Sequence, residues 1–280
     1  MSEFAVALVL GAAVLHATWN AIVKGTRARA LVLAAVAATN GTVGLGLLLW
    51  AETPAMASWP YIAASALTHF GYYYFLAMAY KWGDLSRVYP IARGSAPLLV
   101  ALGALVFAGE QLSLLGWSGV VVVSGGISIL AFFSRGPSVP DPRSTAAAIA
   151  TGLIIAAYSV IDGIGVRLSA SPFGYMGWLF VTEFLVTFFL WARLRPRFTP
   201  EVRATLAVGY LGGFCAVVAY GMVIYANTLA PLGMVSALRE SSVIMAALFG
   251  VVIFRERPWI SRIAAAITVA AGILVLTLTG

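Results

Sequence analysis

The chain has 280 residues, 61% of them hydrophobic and only 10% charged, with a mean hydropathy of +0.97. A soluble domain carries roughly a quarter charged residues, so 17 basic and 10 acidic side chains cannot clothe a water-facing surface. The net charge of +7 does not point to nucleic acid, because the basic residues sit in short loops between apolar runs, and the single cysteine, Cys215, excludes a disulfide framework or a Cys/His metal cluster.

A helix needs about 20 apolar residues to cross the hydrocarbon core. Ten segments reach that length, roughly 4–23, 30–51, 58–80, 85–108, 113–133, 145–166, 172–193, 204–226, 231–254 and 259–279. They are numbered here as spans 1 to 10 of an all-α membrane protein with very short connections. Span 1 follows Met-Ser-Glu without the basic stretch of a cleavable signal peptide and is expected to persist in the mature protein. It carries His16, Trp19, Asn20 and Lys24 on one face. That stripe is expected to face the bundle interior, where two readings stand: contacts for a substrate, or groups that satisfy one another. Lys24, near the end of the span, is expected to snorkel.

Span 3 holds His69, Tyr72, Tyr73, Tyr74 and Tyr80. Tyr80, like Tyr61, suits an interfacial belt, whereas the Tyr72–Tyr74 cluster lies mid-span and reads as a cavity wall with hydroxyl handles. His69 is either a proton carrier or a hydrogen-bonded structural residue. Span 4 reads Pro90-Ile-Ala-Arg93-Gly-Ser95-Ala-Pro97, and each proline removes a backbone donor and is expected to kink the helix. In span 6, Asp162 lies one turn from Tyr158; an acid there must be paired, protonated or facing cavity water. Gly163 and Gly165 behind it are read as loosening the helix, and Gly212-Gly213 in span 8 as packing or flexibility.

Span 9 carries Arg239, Glu240 and Ser241. Adjacent helical residues point about 100° apart, so Arg239 and Glu240 are poor partners for one another. Arg93 and Arg239 each require water, an acid or an anionic substrate group, and the acids within reach of the bundle are Glu240, Glu183 in span 7 and Asp162. A structural ion-pair network is the competing reading. Spans 5 and 10 are rich in small residues, among them Gly119, Ser124, Gly125 and Gly126 in one and Ala264, Ala265, Ala266 and Gly272 in the other. They are expected to be a peripheral or dimer-facing scaffold in a monomer or weak homodimer.

The basic residues set an orientation. Fourteen of the 17 fall in odd-numbered loops, which places those loops in the cytoplasm and both termini outside. Arg93, Arg167 and Arg239 are the others.

The second half repeats the first. Residues 79–133 align with 225–279 without a gap, bringing Arg93 onto Arg239, Ser95 onto Ser241, Glu110 onto Glu256, and Gly126-Ile127 onto Gly272-Ile273. At a slightly different offset Lys24 meets Arg167 and Trp19 meets Asp162. Two copies of five spans each must lie in opposite orientation, the inverted-repeat plan of secondary transporters with a site near the midplane. The proline-rich linker 134–144 is the seam, which gives halves at 1–137 and 138–280. Ser236 and Val243 stand where the first copy has Pro90 and Pro97, so the halves are expected to bend unequally.

The ten spans in two halves, the His-Ala-Thr-Trp-Asn stretch ending at Lys24, the prolines of span 4 and the acids after spans 4 and 9 (Glu110, Glu256) together resemble the EamA-type members of the drug/metabolite transporter superfamily. The likeness extends to bacterial amino-acid exporters, including those for aromatic amino acids. It implies an inner-membrane carrier with a central cavity formed by spans 1, 3, 4, 6, 8 and 9. The expected function is therefore secondary-active export of amino acids or related metabolites, with other metabolites or cationic drugs as the alternative cargo. A lipid-modifying enzyme would need a convergent His/acid set and larger loops, and a channel would need rings of like groups. Candidate substrate contacts are Trp19, Asn20, His69, Tyr72, Tyr73, Arg93, Ser95, Tyr158, Asp162, Arg239 and Ser241. Coupling candidates are His16, His69, Asp162, Glu183 and Glu240. No cofactor or metal is expected, and the partners are a small solute and the lipid bilayer.

Overall fold

The computed structural model describes residues 1–26, 28–82, 85–133, 141–245 and 259–278, and the elements among them are helical. In chain order these are α1 (Glu3–Lys24), α2 (Arg29–Leu48), a short 3-10 turn leading into α3 (Trp59–Trp82), α4 (Leu85–Phe107), α5 (Leu114–Phe133), α6 (Pro142–Leu168), α7 (Pro172–Val181), α8 (Glu183–Leu194), α9 (Pro200–Ala226), α10 (Leu232–Arg239) and α11 (Trp259–Leu278). Seven stretches of the described residues are long and apolar enough to cross a membrane, so the chain is a multi-pass membrane protein. Leu67, Val106, Phe188, Leu211 and Ile267 stand exposed on the outside of the bundle, as a lipid-facing surface requires. Tyr74 is 60% exposed.

Several helix starts are written locally. Asp141, Ser171 and Thr199 each precede a proline and cap the helix that follows, accepting from Arg143 N at 2.8 Å, Gly174 N at 3.2 Å and Val202 N at 3.3 Å. Proline suits the first helical position because its missing N–H would have no partner there.

Two expected spans are interrupted. Span 7 breaks at Thr182 into α7 and α8, and span 9 stops after the 8 residues of α10, turns at Glu240 and Ser241, and resumes as helix at 242–245. Neither break contains a proline. Span 4, with Pro90 and Pro97 inside it, is one uninterrupted α-helix. The unequal bending expected of the halves is therefore an interruption in the copy that lacks the prolines. Glu256 and most of the linker lie outside the described residues, as do the side chains of Lys24, Tyr73 and Tyr80.

The dominant packing crosses the sequence midpoint: α1 lies on α9, α2 on α7, α8 and α9, α3 on α6, α4 on α6 and α10, and α5 on α11. Gly119 and Gly126 of span 5 and Gly272 of span 10 face the other helix within the chain, while Gly125 and Ala264 stay exposed. A Cβ at Gly119 would come within 2.7 Å of Leu276, and one at Gly126 within 2.9 Å of Val269. Gly163 and Gly165 do not loosen α6, which runs through them; they admit Leu232 and Tyr175. Gly213 likewise sits against Thr39 of α2.

Candidate functional site

Arg93, in the first half of α4, and Glu240, at the end of α10, meet in the bundle interior. Nη2 lies 2.7 Å from Oε1 and Nε donates to Oε2 at 3.2 Å, with the two side chains 7% and 0% exposed. The two-point pairing fixes orientation as well as charge. It is an acid pairing of the kind Arg93 was expected to need, made across the two halves. Arg239 Nε lies 4.0 Å from the same Oε1, so the carboxylate sits between two guanidinium groups. The expectation that neighbours in sequence make poor partners holds for Arg239: its contact is the long one. Glu183 is buried at the start of α8, away from its expected place inside an unbroken helix.

Arg239 keeps buried donors without a hydrogen-bond partner among the described residues, at Nε and Nη2, and the Ser236, Ser241 and Ser242 hydroxyls share that condition. Arg239 and Ser236 line a small pocket with Val100, Ser159, Val223, Asn227, Leu232 and Val235. Leaving a buried polar group unsatisfied costs about 1–3 kcal/mol, and more for a charged one.

The α1 stripe is largely self-satisfied. Trp19 Nε1 donates to His16 Nδ1 at 3.2 Å, and Asn20 Nδ2 donates to the His16 carbonyl at 2.7 Å. The Trp19 and His16 rings meet edge to face at 5.5 Å. His16 lies within electrostatic reach of both Arg93 and Arg239, so α1 borders the charged belt, with its amide engaged locally.

Asp162 is the centre of a second cluster. Tyr175 OH of α7 donates to Oδ1 at 2.9 Å and Tyr220 OH of α9 donates to Oδ2, with Ser65 of α3 nearby. His69 Nδ1 lies 2.8 Å from the Ser65 carbonyl and 3.3 Å from the Ser65 hydroxyl. The imidazole stacks on Tyr158 at 4.6 Å, and Tyr72 and Tyr220 meet Tyr158 edge-on at 6.2 Å each. Four helices thus bring an acid, a histidine and four tyrosines together. Sequence reasoning found Asp162, His69, Tyr72 and Tyr158 but missed Tyr175, Tyr220 and Ser65. The available signal was that a buried tyrosine seeks a polar partner, as a buried acid seeks donors.

The two regions are adjacent. Ser159, in the pocket wall, precedes Asp162 by one helical turn, and Tyr220 lies within electrostatic reach of both Asp162 and Arg239. Ser95 does not join them as a free donor. Its hydroxyl returns to the Ile91 and Ala92 carbonyls at 3.2 and 3.4 Å and packs on Gly152 in the α4–α6 seam. Among the described residues no group of His, Cys, Asp or Glu side chains is placed to hold a metal.

Residues 143–278 match the EamA-like transporter family. The matched stretch takes in Asp162, Arg239 and Glu240, so the second half is similar to transporters of that family. A relative from Sinorhizobium sp, described as an uncharacterized transporter in the cobO 3' region, is 34% identical over 76 residues. That match takes in 27% of this chain and 53% of the relative, so the chain spans about half the length of the curated relative it matches. A crystal structure of a protein superposes with a TM-score of 0.79 over 99% of this chain and 98% of its own, at 21% identity. The likeness is one of fold.

Proposed function

We propose that the chain is a secondary-active transporter that exports amino acids or related small metabolites across the bacterial inner membrane by alternating access. Its site lies between two inverted five-span halves, residues 1–137 and 138–280, with both termini outside. The helix pairing supports this plan: spans 2 with 7, 4 with 9 and 5 with 10 meet as counterparts, and the contact of 3 with 6 is mirrored by that of 8 with 1. The observation that carries the reading is the buried guanidinium of Arg239, whose Nε and Nη2 make no hydrogen bond among the described residues, in a pocket whose wall lies one helical turn from an acid cluster. A zwitterion needs both poles. Arg239 with Ser236 and Ser241 receives a carboxylate, while Asp162 and the surrounding tyrosines face the ammonium and the body of the solute. A bare cation would find the guanidinium repulsive, which ranks cationic drugs second.

Of the coupling candidates, Glu240 is held by Arg93 and His16 by Trp19. Asp162, beside His69, and Glu183 are the acids left for proton exchange, and Asp162 is the one in the cluster next to the pocket. Asp162→Asn is expected to abolish pH-driven accumulation in proteoliposomes; accumulation that persists removes Asp162 from that role.

Thermal unfolding of the purified protein with each of the twenty amino acids tests the reading, since a ligand of the folded state raises stability with its concentration over Kd. At least one amino acid should raise the midpoint, its carboxamide should not, and Arg239→Gln should remove the response. No response to any of them, or one untouched by Arg239→Gln, sinks this assignment.

A further inference from the structure

Gly109, with φ of +66°, ends α4 in a left-handed turn, and the Glu110 N–H returns to the Ala104 carbonyl at 3.1 Å. The turn sets the Glu110 carboxylate against the other half of the chain. Oε1 accepts from Arg167 Nη1 at 2.6 Å, and Oε2 accepts from the N–H of Leu232, the first residue of α10, at 2.7 Å. Arg167, in the last turn of α6, also donates through Nε to the Asn227 carbonyl at 2.7 Å and through Nη2 to the Ala230 carbonyl at 2.8 Å. A cation thus lies on the free carbonyls where α9 ends, and an anion on the free N–H where α10 begins.

Local caps would satisfy these helix ends without joining the halves; Glu110 joins them. Asn227 and Leu232, two of the backbone partners, also line the Arg239 pocket. The cluster is its roof. Exposure separates it from the ion pair deeper in the bundle: Glu110 and Arg167 are 13% and 31% exposed, against 0% and 7% for Glu240 and Arg93. Water can replace the contacts of a partly exposed pair, whereas separating a fully buried one strands charge. The Glu110 cluster is built to release.

We propose that Glu110, Arg167 and the α9–α10 turn form a latch that closes this end of the bundle over the Arg239 pocket, and that its release opens the pocket to this face. The role of that release in moving a solute rests on the transporter reading; the latch itself is testable without it. The charge pattern of the loops predicts this face to be the external one.

The test is labelling of a single cysteine at Ser236, in a Cys215→Ala background, by a membrane-impermeant thiosulfonate on the full chain in lipid nanodiscs. Glu110→Gln is expected to raise the labelling rate about tenfold or more, as loss of a charge-assisted contact implies. Arg167→Lys should raise it less, since an ammonium cannot serve a carboxylate and two carbonyls in one planar fork. A cysteine at Ala148, fully buried in a separate cluster with Ala79 and Val88, should label at an unchanged rate. If Glu110→Gln yields no folded protein, Arg167→Lys decides. A Ser236→Cys rate indifferent to these substitutions, or an Ala148→Cys rate that climbs in step with it, overturns the latch. No solute enters the experiment. A chain that never transports but unlatches loses its proposed function and keeps the latch, and the reverse outcome separates them the other way.

Discussion

Arg93 and Glu240 hold each other where neither has water. Breaking such a pair from one side leaves a buried charge, which costs about 3–5 kcal/mol, while replacing both partners with apolar groups of similar size is often nearly neutral. Glu240→Leu is therefore expected to lower the unfolding midpoint sharply, and Arg93→Met with Glu240→Leu to recover part of the loss, since Arg239 still loses its contact with Oε1. Unfolding of the two single variants and the double in detergent measures this; strictly additive losses would show that the pair is not coupled. The pairing was partly legible because so few acids lie within spans that an interior arginine has a short list of partners. The donors to Asp162 were not. Tyr175 comes from the next helix in the chain and Tyr220 from one 58 residues on from Asp162, and nothing local distinguishes them from interfacial tyrosines. Ser95 misled for the opposite reason: duplication at Ser241 suggested a shared role, yet one hydroxyl bonds its own helix while the other has no hydrogen-bond partner among the described residues.

Helix positions followed from hydropathy, and the Asp141-Pro142, Ser171-Pro172 and Thr199-Pro200 starts follow from capping chemistry. Interruptions did not. Pro90 and Pro97 mark span 4 in the sequence, yet α4 runs through both, while α10 ends at Arg239 without any breaker residue. The stop coincides with the place where Glu240 turns to Arg93, a tertiary contact that no window of sequence contains. The small residues of spans 5 and 10 were legible as a contact surface but not as to what they contact. Their seam yields a prediction: Gly126→Leu forces a side chain onto Val269, and overpacking of this kind costs about 1–3 kcal/mol. Chemical unfolding should register that loss, and an unchanged midpoint would mean that α5 and α11 separate easily.

In the whole molecule, the two sequence halves interlock instead of forming two bodies side by side. Nearly every major helix pairing joins one half to the other, and the charged groups of interest lie on those joints: Arg93 with Glu240 in the interior, Glu110 with Arg167 at one end, and Arg239 between them beside a pocket. Any movement of one half against the other must rearrange these contacts. Counterflow tests the central claim most directly. Protein is reconstituted in liposomes preloaded with unlabelled amino acids, and uptake of labelled Phe, Trp, Thr and Met is followed. Uptake above empty-liposome controls, abolished by Arg239→Gln, is the predicted result. Folded protein that shows no counterflow for any amino acid would contradict it.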